Sequence, residues 1–191
     1  MMLTEDQILE NKSKFISLLV NLNIDLTALT KYLISERVDY FNKPYNNYQT
    51  YSYKGSLCDH TIRLFEELKK LCDVYCPDRY SLQDILKVAL FKDLYRAELY
   101  EPYLKNVKNE VTNQWESILS YRTKDVRPIF GDISFSSYMI AKKFIDLNND
   151  ELVEAILYSS TNSNIENFNI RKTYKLVTLV TMAELAVDYL N

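Results

Sequence analysis

The chain is 191 residues long, with 47% hydrophobic residues, 26% charged residues and a formal net charge of −3. That length suits one domain around one sizeable core, and the negative balance gives non-specific nucleic-acid binding no global electrostatic support. Only 2 Gly and 4 Pro disfavour a turn-rich all-β fold, and the apolar runs fall far short of a membrane span.

In chain order, "LTEDQILENKSKFISLLVNL" places Thr4 before a helical run with Gln7 three residues later, a capping-box signature. No signal-peptide core precedes it. "DLTALTKYLISERVDYF" reads as a second helix, and "NKPYNNYQTYSYKGS" breaks the pattern into a loop. "LCDHTIRLFEELKKLCDVY" is strongly amphipathic, with Leu57, Ile62, Leu64, Phe65, Leu68 and Leu71 at helical spacing. Ser81, with Asp84 three residues on, opens a fourth helix that should end near Tyr95 and carries Lys92-Asp93 at its close. Residues 100–131 are weakly patterned, and a short two-stranded ribbon can form near 107–123. "SFSSYMIAKKFIDL" and "NDELVEAILYSS" read as a pair of short helices, "TNSNIENFN" as a polar loop, and "IRKTYKLVTLVTMAELAVDYL" as a buried closing helix. With no repeat and no linker, the expected architecture is an all-α, single-domain helical bundle over residues 1–191.

Metal-dependent phosphate chemistry needs imidazoles and carboxylates from different helices converging on one point. The candidates sit where polar residues interrupt apolar helices: His60 in the third helix, Asp93 at the end of the fourth, and Glu184 in the last. A polar group on a core-facing stripe must be paired or bound to something. The three cysteines, Cys58, Cys72 and Cys76, form no even framework, so a reduced, cytoplasmic protein is expected.

The ordered blocks "VDYFNKPYNNYQTYSYKGSLCDHTIRLFEEL", "ILKVALFKDLYRAELY", "RPIFGDISFSSYMIAKKFIDLNNDELVEAILYSS" and "MAELA" resemble the HD-domain metal-dependent phosphohydrolases. The similarity is greatest to a branch common in phages and Gram-positive bacteria. It implies a helical bundle around one or two metals and cleavage of phosphate esters, often of nucleotides. It also implies a phage-encoded protein of the host cytoplasm or the virion. On this resemblance the first metal histidine falls on His60, the His-Asp doublet on Lys92-Asp93, and the lysine that follows it on Arg96. Further histidine positions fall on Thr50, Asp132 and Ser159, and the closing aspartate on Glu184. With 1 His in the chain, no other imidazole can compensate.

A lysine brings positive charge where the metal of such a site would stand, so it opposes the ion. The resemblance therefore implies a catalytically inactive HD-like protein retained as a binding or structural module. No cofactor is expected, and the partner is a protein or a nucleotide. The alternative is an active phosphohydrolase with a reduced site of His60, Asp93 and Glu184, holding Mg, Mn or Zn. A third reading, nucleotide sensing, uses Lys54, Arg96 and Lys92 as phosphate contacts. Lys92 either replaces the ion between Asp93 and Glu184 or swings out to solvent along its flexible stem.

Overall fold

The computed structural model describes residues 2–22, 24–48, 50–125, 128–158 and 174–190. Helix α1 (Glu5–Leu19) starts at the expected capping box: Thr4 Oγ1 accepts from the Gln7 N–H at 3.2 Å, and Gln7 Oε1 accepts from the Thr4 N–H at 2.8 Å. Its inner face is Ile8, Phe15 and Leu19. Helix α2 (Leu26–Leu33) is capped by Asp25 and stops well before Phe41. The Ser35 carbonyl takes the N–H groups of both Val38 and Asp39, and Asp39 turns left-handed at φ 45°, which ends the helical path. A single 3-10 turn, Tyr40–Asn42, follows.

Helix α3 (Ser56–Tyr75) is the axis of the body. Its first turn and a half is buried on nearly every side, and α1, α4 (Leu82–Phe91) and α8 (Lys175–Tyr189) pack along it. Ser81 and Asp84 close the expected capping box of α4. That helix ends at Phe91 rather than near Tyr95, because the Tyr95 N–H donates to Ser137 Oγ at 3.0 Å and leaves the helical ladder. A short turn of helix, α5 (Arg96–Leu99), follows. Helices α6 (Ile133–Ala141) and α7 (Asp150–Tyr158) form an adjacent pair against α4 and α8. The polar stretch 161–169, the expected start of the closing helix at 170–173, and Ser159 lie outside the described residues. Among the described residues, no helix is long and apolar enough to cross a membrane.

The all-α expectation is overturned. Strands β1 (Tyr100–Lys108) and β2 (Trp115–Thr123) form an antiparallel sheet, in register from Tyr100 opposite Thr123 to Lys108 opposite Trp115. The fold is a helical body carrying a two-stranded sheet that begins at Tyr100, well before the ribbon expected near 107. Two features hide β1 in the sequence. Pro102 reads as a break, and the strand lacks the alternation that comes from burying one face, since Tyr100 is its one buried residue. Tyr121 is the buried residue of β2; its hydroxyl donates to the Asn42 carbonyl at 3.3 Å, and the Lys124 N–H donates to the Leu99 carbonyl at 2.7 Å. The hairpin is thus tied to the body at its base.

One glycine sets the entry into α3. Gly55 precedes it at φ 80°, and a Cβ there would stand 2.9 Å from Ile8 Cγ1 on α1. Gly131 also has a positive φ, 73°, but nothing lies within 4 Å of its would-be Cβ. Gly55→Ala combines left-handed strain with overpacking and should destabilise the protein by about 2–4 kcal/mol, against about 1–2 kcal/mol for Gly131→Ala. Urea unfolding of the two variants checks the order.

Candidate functional site

The site is assembled from three segments. Helix α3 supplies His60, the turn after α4 supplies Lys92, Asp93 and Arg96, and α8 supplies Glu184 and Asp188. Glu184 and Asp188 are four residues apart and share a helix face. A fourth segment, the tyrosine-rich loop, folds over them. Ser56 anchors it: its hydroxyl accepts from the Tyr45 N–H at 2.9 Å and donates to the Tyr51 carbonyl.

Lys92 is the centre. Its side chain points inward, and the residue is 3% exposed. Nζ donates to Asp93 Oδ2 at 2.8 Å and to Glu184 Oε1. Asp93 Oδ1 accepts from Arg96 Nε at 2.6 Å. Arg96 also donates to the Tyr45 carbonyl at 3.3 Å and lies 4.2 Å from the Tyr45 ring centroid, a cation–π contact. Two cations and two carboxylates thus neutralise one another inside the protein. The Tyr45 hydroxyl donates to Glu184 Oε1 at 3.3 Å, and its ring stacks on His60 with centroids 3.6 Å apart and planes at 14°. Tyr51 meets the His60 ring edge-on, and its hydroxyl donates to the Val187 carbonyl at 2.9 Å.

The expected trio is therefore divided. Asp93 and Glu184 meet through Lys92, while His60 Nε2 is paired with Asp188 Oδ1 at 3.1 Å. Asp188 and Tyr45 carry no individual signal in the sequence, although the four-residue spacing from Glu184 was there to be read. Thr50 and Asp132 are exposed, and Asp132 caps α6 by accepting from the Phe135 N–H at 2.7 Å. Lys54 is paired with Glu5 at the surface, at 2.7 Å. The cysteines are buried and free, and burial pushes the Cys58 thiol up and the Cys72 thiol up to about 12, so neither is a ready nucleophile.

A metal does not fit this donor set. The ammonium of Lys92 already satisfies one oxygen each of Asp93 and Glu184, where an ion would have to stand. Among the described residues, no three His, Cys, Asp or Glu side chains group so as to hold one. Lys92 and Asp93 are also poor acid–base groups. Burial works against the Lys92 charge, but Asp93 and Glu184 outweigh it and hold its pKa above the ordinary value. Burial likewise works against the Asp93 carboxylate, but Lys92 and then Arg96 outweigh it and hold the carboxyl well below the usual range. Neither group is poised to exchange a proton near neutral pH.

No protein-family model, curated protein or solved structure matches the chain.

A separate cavity of about 510 Å³ opens beside α5 and α6. Arg37, Lys124 and Lys143 line it together with Tyr95 and Ile140. Its one carboxylate, Glu98, is already committed: Tyr32 donates to Oε1 at 2.8 Å, and Arg37 pairs with Oε2.

Lys92→Met leaves two buried carboxylates facing each other and should cost about 3–5 kcal/mol, whereas Lys92→Met with Glu184→Leu should recover most of that loss, because a neutral replacement of a buried pair is tolerated. Urea unfolding of the two variants reads the difference. The pH dependence has a definite sign. Asp93 titrates lower when folded, so its contribution is complete above about pH 4 and is lost on acidification; Lys92 titrates higher when folded, so its contribution is complete below about pH 10 and is lost above it. The contribution of this pair should be flat between those limits, and Asp93→Asn should flatten the acid limb.

Proposed function

We propose that the chain is a non-catalytic binding module built on an HD-related helical core, with Lys92 standing where the metal of such a site would be. The buried ammonium between Asp93 and Glu184 carries this reading. It supplies internally the positive charge that a phosphohydrolase takes from its ion. It cannot supply the other half of that chemistry, a water activated at neutral pH. Asp93 alone, held far below neutral, would be a weak general base, and a positioned base contributes only about 10²–10⁴-fold in any case. Phosphate monoester hydrolysis needs far more, on the order of 10²¹-fold.

The cationic cavity favours a nucleotide or similar anion as a ligand over the alternative in which Lys54, Lys92 and Arg96 hold phosphate. Those three are each committed to a carboxylate, and Lys92 is buried. The Lys124 ammonium has a 3.4 Å contact to the Arg37 carbonyl and no carboxylate partner among the described residues. A volume near 510 Å³ is in the range of small-ligand sites.

The purified protein should bind no stoichiometric transition metal. It should not turn over nucleoside monophosphates, cyclic nucleotides or aryl phosphates with magnesium, manganese or zinc added. Calorimetric titration with the same nucleotides should show binding that Lys124→Glu weakens. Metal-dependent turnover that disappears in Asp93→Ala would overturn the non-catalytic reading.

A further inference from the structure

The hairpin is the part of the molecule least explained by its own interior. Among the described residues its contacts with the body gather at its base, at Tyr100, Tyr121 and Thr123, whose hydroxyl accepts from Asn47 at 3.4 Å, and it leaves Leu104 70% and Trp115 72% exposed, with Ile118 and Leu119 also exposed. A two-stranded ribbon is marginal by itself in water. Among the described residues the sheet has only these two strands, so each of its outer edges presents unpaired backbone groups.

The two edges differ. β1 contains Pro102, which has no N–H to offer to a further strand. Paired with a second β1 about its midpoint, Leu104, it would set Pro102 against Asn106 and Glu101 against Val107, with no charge matched. β2 has no proline, and its sequence "WESILSYRT" is complementary to itself when reversed. Laid antiparallel about its midpoint, Leu119, it sets Glu116 against Arg122 at both ends, Trp115 against Thr123, Ser117 against Tyr121, Ile118 against Ser120 and Leu119 against itself. We propose that the free edge of β2 is a homodimerisation edge, at which two copies of this chain join by antiparallel β2–β2 pairing into one four-stranded sheet.

Three consequences agree with the observed register. Leu104 lies opposite Leu119 within one hairpin, so the join makes a row of four leucines across four strands on one face. Successive residues of a strand alternate between faces, which places the two Glu116–Arg122 pairs on the other. Each chain's Arg122 already donates to Glu101 through Nε at 2.7 Å, and Glu116 Oε1 already accepts from Asn109 at 2.7 Å. The join therefore extends an existing charge ladder, and the guanidinium keeps its terminal nitrogens for the second carboxylate. The outer edges of the enlarged sheet are then the proline-bearing β1 strands, which stops further growth. The pairing is two-fold symmetric, as a closed dimer requires.

A strand pair of this length is at the small end of stable interfaces, so the dimer should dissociate in the range of about 1–100 μM. Sedimentation velocity on the full chain over that range tests it. Trp115 is the only tryptophan, so its emission should also shift to the blue as concentration rises. Arg122→Glu places Glu116 against a glutamate and should weaken self-association at least tenfold. Glu116→Arg does the same with two arginines. An equimolar mixture of these two single variants restores both opposite-charge pairs and should dimerise where neither does alone. Leu119→Lys should abolish the dimer, and unchanged helical circular dichroism would show each variant folded. A monomer at the top of the range would overturn the proposal and leave the edge to a different protein. So would a dimer indifferent to Leu119→Lys, or single variants whose mixture fails to associate.

Discussion

The structure turns on one buried ammonium. Lys92 sits at the end of α4, and its Nζ is held by a carboxylate from its own turn and one from α8. Two unlike demands meet there. The closing helix is apolar through its middle and packs on α3, which favours burial of whatever it carries. Glu184 interrupts that surface with a charge that would be prohibitive alone. Lys92 resolves the conflict, and Arg96 balances the second carboxylate, so the interior set sums to zero. Such a set is weak evidence for net stability, since apolar replacements often do as well. Its clear effect is on geometry. An ammonium that must reach Asp93 and Glu184 together fixes the end of α4 against one turn of α8.

Around that point the tyrosine-rich loop acts as a cover rather than as a free surface. Tyr45 touches three of the participants: it stacks on His60, donates to Glu184, and offers both its ring and its carbonyl to Arg96. Burial raises its hydroxyl pKa well above the ordinary value, so it stays a neutral donor. His60 in turn is gripped by two rings and by Asp188. In this arrangement each group that could do chemistry is engaged in holding its neighbours. A polar centre of this kind specifies one packing of four segments, a role that apolar contacts alone discharge less selectively.

Much of the helical body was legible in the sequence, because amphipathic periodicity and capping residues are local signals. The Thr4–Gln7 and Ser81–Asp84 boxes stand where the pattern placed them. Ends set by tertiary contacts were not legible: α4 stops early because Ser137, far along the chain, takes the Tyr95 N–H. The hairpin was misjudged for a related reason. Strand periodicity records burial of one face, and this hairpin buries a face only at its base, so the all-α reading had nothing to correct it. At the centre, polar interruptions of apolar helices pointed to His60, Asp93 and Glu184, with Lys92 beside Asp93 at the close of the fourth helix. The contribution of Tyr45 and the diversion of His60 to Asp188 were invisible, since they depend on how a loop folds back across three helices.

The core and the hairpin follow opposite logic, and the contrast bears on where the protein meets others. In the core, charge is concentrated, paired and buried, although Glu184 Oε2 and His60 Nδ1 have no hydrogen-bond partner among the described residues. In the hairpin, apolar area is left open and the charges are arranged by position: Glu116 and Arg122 lie symmetrically about Leu119, three residues to either side. Internal stability does not require that symmetry, because the hairpin's own partner for Arg122 is Glu101 and for Glu116 is Asn109. On the proposed β2–β2 pairing, that symmetry serves a second copy. The loop 109–114 keeps the ribbon in shape for it: Asn109 accepts from the N–H groups of Val111 and Thr112, and Asn113 takes the left-handed turn at φ 57°. Local turn chemistry thus holds extended an edge that the core does not support, consistent with an element that completes its sheet outside its own chain.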